Sequence, residues 1–382
     1  MNICYVNPTK VLRRPIVEIS HILADKGHKV SLLYPNDVKD PLKGFHFLKL
    51  LKHKNIKLIP VDSFYFARWR YALPNPFDLF SKLKKVFRDN DIIHIWEYYY
   101  PYSVFAILMK LFFRKKKVIL TTDGFVGYSY KPQGISFLFR LYTQLFAKFL
   151  FKIPDEMTTY GKSMIPYSKQ AGVKRIKVLS TGIDLNKFKC DNLGKIRKEF
   201  GITKSQFFIL FIGMLTERKR VDYVIRISKK LISEGFNVKT LIVGHGPLEE
   251  EYKTMITKNF RDKIILVGSR TDVSDFLFDC DVLFLPALGE GLPGVVMEAM
   301  ACGKPVVATN EGCTPDLVDR ETGFLINEDD EEGYYLALKK LILNKKLGPG
   351  LGFKGRLKIK HFDWEIVVKK YLKLYEFLLK NV

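Results

Sequence analysis

Within its first 35 residues the chain runs through an apolar stretch, "MNICYV", a helix-compatible "RRPIVEISHILADKG" and a second apolar stretch, "HKVSLLYP". Gly27 suits the helix stop. Strand, helix and strand at this spacing describe a parallel βαβ unit, because parallel neighbours need a crossover long enough to hold a helix. "DIIHIW", "KKVILTT" and "DEMTTY" read as further strands, and "IKVLSTGIDLNKF" as a strand running into a turn. The first half is therefore expected to be doubly wound α/β. After a polar segment, "KCDNLGKIRKEFGITKSQ", the alternation begins again with "FFILFIGML", "NVKTLIVGHG", "KIILVG", "DVLFLPA" and "KPVVATN". A second βα domain is expected to begin near Gln206, and the tail "HFDWEIVVKKYLKLYEFLLKNV" spaces its apolar residues as a closing helix.

A chain of 382 residues suits two domains of ordinary size, and 47% hydrophobic with 27% charged residues suits a folded, soluble one. The five cysteines, Cys4, Cys190, Cys280, Cys302 and Cys313, contain no CxxC pair. That fits a reducing compartment, the cytoplasm, better than a disulfide framework or a zinc site. The chain opens directly on an apolar run without a charged leader region, so it is expected to stay inside the cell. Its longest apolar stretches are broken by Lys110, Arg140 and Lys148, which argues against a spanning helix. Charge is uneven: residues 1–200 hold 36 Lys and Arg against 15 Asp and Glu, while residues 201–382 hold 27 against 25. The basic half should face something anionic, with nucleic acid and membrane phosphate as the candidates.

One segment concentrates chemistry: "GEGLPGVVMEAMACGKPVV", from Gly289 to Val307. It follows an apolar strand, turns through Gly291, Leu292, Pro293 and Gly294, and continues into a helix at Val295. The N–H groups and positive dipole end of a helix start make a seat for an anion such as a diphosphate. Glu298, one turn in, can accept two hydroxyl hydrogen bonds as a ribose diol offers them, and Glu290 lies on the loop side, where an attached sugar would project. Either glutamate could instead complement the helix dipole or face solvent.

The surrounding residues resemble the E-x7-E signature of the retaining glycosyltransferases of family 4, enzymes of the GT-B fold that use nucleotide-activated sugars. Glu290, seven residues and Glu298 carry the match, followed by "EAMACGKPVVAT". "FIGMLTERKRVDYVI" is similar to the family's phosphate-binding strand and turn, "LIVGHGPLEEEY" to its nucleotide-side loop, and "EGCTPDLVDRETGFLI" to the turn after the signature. "LSTGIDLNKF" and "FDWEIVVKKYLKLYEFLL" resemble the segment before the linker and the last helix. The resemblance is nearly continuous from Val178 onward and weaker before it.

It implies two Rossmann-like, doubly wound parallel-sheet domains facing a cleft: residues 1–188 with a C-terminal helix, 364–382, that crosses back to them, a linker at 189–205, and a nucleotide-sugar-binding domain at 206–363. It further implies that Glu298 binds ribose hydroxyls, Glu290 contacts the transferred sugar, and Lys219 neutralises the diphosphate leaving group, with Gly213, Met214, Arg218, Gly244, Gly246 and the 291–295 turn on the donor. Such chemistry needs neither metal nor cofactor. Two DxD strings, Asp89–Asp91 and Asp279–Asp281, precede apolar strands, where acidic capping or chance explains them better than manganese.

Three positions depart from the family pattern. Met214 stands where an arginine is usual, leaving Arg218 or Arg220 to supply the charge. Asp123 stands where a histidine is common near the donor sugar; it can accept from sugar hydroxyls, or it is a turn residue before Gly124. The first loop, "NPTKVLRRP", replaces paired glycines with Lys10, Arg13 and Arg14, expected either to hold an anionic acceptor or to be a solvated basic loop.

In "RLYTQLFAKFLFK", Arg140, Gln144, Lys148 and Lys152 recur every four residues and make a narrow polar stripe between Phe- and Leu-rich flanks. With "KLKKVFR", "RKKK" and "FARWRY" nearby, this suits either a membrane interface or a buried helix of the first domain. The expected function is glycosyl transfer to a lipid-linked glycan or lipid phosphate at the inner face of the cell membrane. A sugar-nucleotide epimerase or a non-catalytic sugar-nucleotide binder of the same fold is the alternative. No zinc spacing, helix-turn-helix or RNP-like string supports nucleic acid.

Overall fold

The computed structural model describes residues 1–9, 12–36, 52–66, 71–130, 134–188 and 193–380. It divides into two compact units, Met1–Gly182 with Trp364–Val382, and Ile183–Asp363. The first contains β1 (Asn2–Val6), β2 (Lys29–Pro35), β3 (Ile56–Val61), a hairpin of β4 (Ser63–Phe66) and β5 (Tyr71–Pro74), then β6 (Ile92–Trp96), β7 (Lys117–Thr122), β8 (Glu156–Thr159) and β9 (Lys177–Val178). Its main sheet is parallel, in the order β3-β2-β1-β6-β7-β8-β9. From β1 the chain winds first one way and then the other, so the direction reverses between β1 and β6. Such a reversal parts the loops at the C-terminal strand ends, where open α/β sheets bind ligands.

Both faces of this sheet are covered, which is why its strands are apolar on both sides. On one face the helices Arg14–Asp25 and Trp364–Lys380 pack Ile16, Ile19, Trp364 and Tyr371 against Ile3, Tyr5 and Trp96. The tail helix thus returns to the first unit as expected. Buried His94 helps to hold it: its ring nitrogens lie 2.7 Å from the Tyr375 hydroxyl and 2.6 Å from Thr121 Oγ1. On the other face lie the helices Pro76–Asp89 and Pro101–Met109 and the helical segment 136–150, through Leu79, Leu83, Phe87, Ile107 and Leu150. Asn75 starts the first of these helices, its Oδ1 accepting from the N–H of Phe77 at 3.0 Å, with Pro76 at the first helical position. Among the described residues no helix is long and apolar enough to cross a membrane.

The second unit contains β10 (Phe207–Ile212), β11 (Val238–Val243), β12 (Ile264–Gly268), β13 (Val282–Leu285), β14 (Val306–Thr309) and β15 (Gly323–Ile326). They form a parallel sheet in the order β12-β11-β10-β13-β14-β15, reversing between β10 and β13. Its boundary differs from the sequence expectation, because residues 183–205 belong here and not to the first domain and a linker. The physical reason is Asp279, whose carboxylate accepts from the N–H groups of Gly194 (2.6 Å), Ile196 (2.7 Å) and Arg197 (3.1 Å). That anchors the short helix Lys195–Glu199 to the unit's body.

Candidate functional site

In the second unit the loops after β10 and β13 meet beside the sheet reversal. Arg218 and Lys219 come from the first loop and Glu290 from the second. Arg218 Nη1 and Lys219 Nζ each donate to Glu290 Oε1 at 2.7 Å. Arg218 Nη1 also donates to the carbonyls of Leu288 (2.7 Å) and Gly289 (3.1 Å), while the Leu288 N–H returns a bond to the Arg218 carbonyl at 2.7 Å. Burial alone would raise the Glu290 carboxyl, but the Lys219 and Arg218 charges outweigh it and hold the group below its usual range. Glu290 is therefore ionised, and two cations against one anion leave a surplus positive charge. Every hydrogen bond to Glu290 from the described side chains falls on Oε1; Oε2 accepts none. Four residues on begins the helix Gly294–Ala301, with Pro293 at its N-cap, no side-chain cap and no acid in its first turn. Half-buried Glu298 lies on it.

Backbone packing holds these loops in place. Arg220, in the left-handed region at φ 49°, ends the turn carrying Arg218 and Lys219 and opens the helix Val221–Ser233. Its guanidinium points elsewhere, to the Glu328 carbonyl (2.8 Å), Asp329 (2.9 Å) and the Tyr223 ring (3.8 Å). Of the two candidates to replace the arginine absent at Met214, Arg218 is thus the one that reaches Glu290. Met214 itself is 45% exposed. Gly312, at φ 62°, lies so close to the Glu290 carbonyl that a Cβ would overlap its oxygen, and the next N–H, of Cys313, donates to the Gly291 carbonyl at 2.9 Å. Gly244 is required for the same reason against the Gly213 carbonyl, and Gly246 against that of Leu215, so these glycines serve close loop-to-loop approach. Glu311 Oε2 accepts the Gly289 N–H at 3.0 Å; burial pushes its carboxyl up to about 7.

The first unit carries a second cluster at its own reversal, and sequence reading missed its centre. Glu97, directly after β6, is fully buried and sits in the left-handed region at φ 60°. Arg13, from the loop after β1, lies 3.1 Å from Glu97 Oε1 and donates to Asp123 Oδ2 at 2.7 Å. Thr122 Oγ1 donates to Glu97 Oε2 at 2.8 Å. Burial, and then the Asp123 charge, push the Glu97 carboxyl well above the carboxylate range, with Arg13 acting the other way. Among the described residues, Glu97 and Arg220 are the non-glycine residues with positive φ, and each stands at a sheet reversal. Strain of this kind collects at functional sites.

In the first loop Arg13 pairs with Glu97 and Asp123, and Arg14 approaches Glu18 at 3.9 Å. Asp123 accepts from Arg13 and is more than a turn residue. Lys10 and residues 67–70 of "FARWRY" lie outside the described residues. Three of the four DxD carboxylates bond the backbone: Asp279 as above, Asp281 toward the Phe208 N–H (2.7 Å) and also the Arg197 side chain (2.6 Å), and Asp91 toward the Asn2 N–H (2.9 Å). Among the described residues no group of three or more His, Cys, Asp or Glu is placed to hold a metal ion.

Comparison with known proteins gives two family matches: residues 14–187 match the model described as Glycosyltransferase Family 4, and residues 206–344 that described as Glycosyl transferases group 1. The chain is 25% identical over 376 residues to the N-acetyl-alpha-D-glucosaminyl L-malate synthase of Bacillus anthracis, covering 95% of this chain and 93% of that one. It is 24% identical over 385 residues to the N,N'-diacetylbacillosaminyl-diphospho-undecaprenol alpha-1,3-N-acetylgalactosaminyltransferase of Campylobacter jejuni, covering 97% and 96%. Among solved structures, Anabaena HepE in complex with UDP aligns with a TM-score of 0.78 at 17% identity, covering 98% of this chain and 100% of that chain. Sucrose-phosphate synthase from Thermosynechococcus elongatus aligns at 0.77, also at 17% identity, covering all of both.

Proposed function

The chain belongs to the family 4 glycosyltransferases and has the GT-B fold, and from that premise we propose that it moves a sugar from a nucleotide-sugar donor to a lipid-borne acceptor, with retention of configuration and without a metal. The observation that carries this reading is the Arg218–Lys219–Glu290 cluster beside an uncapped helix start. Breaking a sugar–phosphate bond puts negative charge on the departing diphosphate. A fixed surplus cation acts most strongly where that charge grows. Lys219 and Arg218 supply it in the proposed mechanism, and the start of the Gly294–Ala301 helix adds N–H donors and a positive dipole end. Glu290 holds both cations through Oε1 and accepts a sugar hydroxyl through Oε2. Glu298 accepts the ribose hydroxyls.

In the first unit one cation, Arg13, stands between two carboxyl groups, Asp123 and Glu97, and burial pushes the Glu97 carboxyl upward. A cluster with carboxyl groups in excess suits hydroxyl-rich groups better than phosphate, so Asp123 takes the sugar side. Two relatives are named for different acceptors, L-malate in one and a diphospho-undecaprenol glycan in the other. The exposed apolar helix of the first unit favours the lipid-borne class and a site at the inner membrane face. Incubating the protein with labelled UDP-, GDP- and ADP-sugars, with and without polyprenyl-phosphate acceptors, tests the reading. Transfer with the donor's anomeric configuration supports it; isomerised donor marks an epimerase, and neither product a binding protein.

A further inference from the structure

The helical segment 136–150 buries Thr143, Ala147 and Leu150 and leaves a broad apolar surface uncovered. Its polar side chains bond back along the protein surface: exposed Arg140 donates from Nε to the Gly127 carbonyl at 2.6 Å, exposed Gln144 donates from Nε2 to the Tyr128 hydroxyl at 2.7 Å, and the Lys148 stem lies against Gly172. Six of its large apolar side chains turn outward. The stretch Ser136–Tyr142 contains no buried residue, Phe137 is 71% exposed, and Leu138, Leu141, Leu145, Phe146 and Phe149 are exposed with it. A π-helical turn at Thr143–Ala147 interrupts the α-helical register within this stripe. An ordinary surface helix would present the opposite pattern.

The neighbours in the same helical layer share the feature. Phe77, 85% exposed, and Phe80 stand on the helix Pro76–Asp89, and Phe112, 79% exposed, follows the helix Pro101–Met109. Exposed Lys84, Lys85, Arg88, Arg114, Lys115 and Lys152 belong to these elements and their ends. From residue 98 to residue 154 the only acidic side chain is Asp123, and it is paired with Arg13.

We propose that the outer face of this helical layer docks on an anionic phospholipid bilayer, with the Phe and Leu side chains at the headgroup–acyl boundary and the lysines and arginines among the lipid phosphates. This deepens the reading of a lipid-borne acceptor and rests on it. Charge complementarity selects the occupant: the helix Pro76–Asp89 adds only Asp78, paired with Lys82, and exposed Asp89 to this face, so a second copy would bring mostly like charges together, whereas a bilayer supplies the anions and a place for aliphatic side chains. Nucleic acid would use the cations and rings and leave the leucines without a partner.

The test is flotation of the full chain with phosphatidylglycerol–phosphatidylcholine vesicles, beside pure phosphatidylcholine, at physiological salt. The wild type floats with the anionic vesicles. The variant Phe137→Ser/Phe146→Ser/Phe149→Ser binds them about 10- to 100-fold more weakly, and Lys84→Gln/Lys85→Gln/Arg88→Gln, at about fivefold per charge, by a similar factor. Both variants keep the wild-type melting curve, since every altered side chain is exposed. Wild type that stays unbound, triple variants that bind as wild type does, or a concentration-dependent dimer that the Phe variant dissolves would each overturn the proposal. Donor binding measured on the same samples separates this proposal from the transferase reading. Lost flotation in the Phe variant with intact donor binding supports the docking face, and flotation without any donor binding counts against the transferase reading alone.

Discussion

Two sheets of the same winding carry clusters of opposite balance at equivalent places. At its reversal, the second unit holds two cations on one ionised carboxylate; the first holds one cation between two carboxyl groups, Asp123 and Glu97, the latter pushed upward by burial. The strand scaffold is therefore neutral as to ligand, and the loop side chains decide it. A surplus of positive charge suits a diphosphate, and a carboxyl-rich, hydroxyl-accepting cluster suits an uncharged polyol.

The strongest way to break this comparison is to remove the cation proposed to face the leaving group. Lys219→Ala is expected to lower kcat about 10²- to 10³-fold, measured in single-turnover transfer. Glu290→Gln is expected to lower kcat about 10²-fold with a smaller change in donor KM, because it releases both cations from their shared oxygen. A loss confined to KM would assign Glu290 to binding alone. Gly312→Ala should destabilise the second unit by about 1–3 kcal/mol, seen in denaturant melts, since its Cβ has no room against the Glu290 carbonyl.

Acid should separate the units in another way. Burial pushes His94 down to about 3 from an ordinary 6.5. The unfolded chain therefore binds the extra proton first: stability owed to neutral His94 is complete above pH 6.5 and is lost as pH falls toward 3, on the order of a few kcal/mol. Thermal melts of His94→Gln across that window should be flatter than those of the wild type. The smallest effect concerns Glu311, raised to about 7 by burial. Its neutral form prevails below that pH, and ionisation above it puts negative charge beside the proposed diphosphate seat. Donor KM should rise a few-fold from pH 6 to pH 8 in the wild type and stay level in Glu311→Gln.

Much of this was legible in local pattern. The βαβ alternation gave both sheets, and the Gly-Leu-Pro-Gly turn between Glu290 and Glu298 marked the segment where the cations gather. What escaped depends on contacts between residues far apart in the chain. Arg13 reads as a solvated cation until Glu97 and Asp123 are beside it, and the left-handed backbone of Glu97 leaves no trace in residue type. Asp279, a DxD member by spacing, anchors residues 194–197 from more than eighty positions away. The stripe through Arg140, Gln144 and Lys148 was visible, but not the surface partners it bends back to, Gly127, Tyr128 and Gly172.

The central claim is that the second unit's cluster seats the diphosphate. Titration calorimetry with UDP, GDP and ADP on wild type, Lys219→Ala and Asp123→Asn tests it without any acceptor. The account predicts that the preferred diphosphate loses about 10- to 100-fold in affinity with Lys219→Ala and stays within about twofold with Asp123→Asn. Unchanged affinity in Lys219→Ala, or a larger loss in Asp123→Asn, would contradict it.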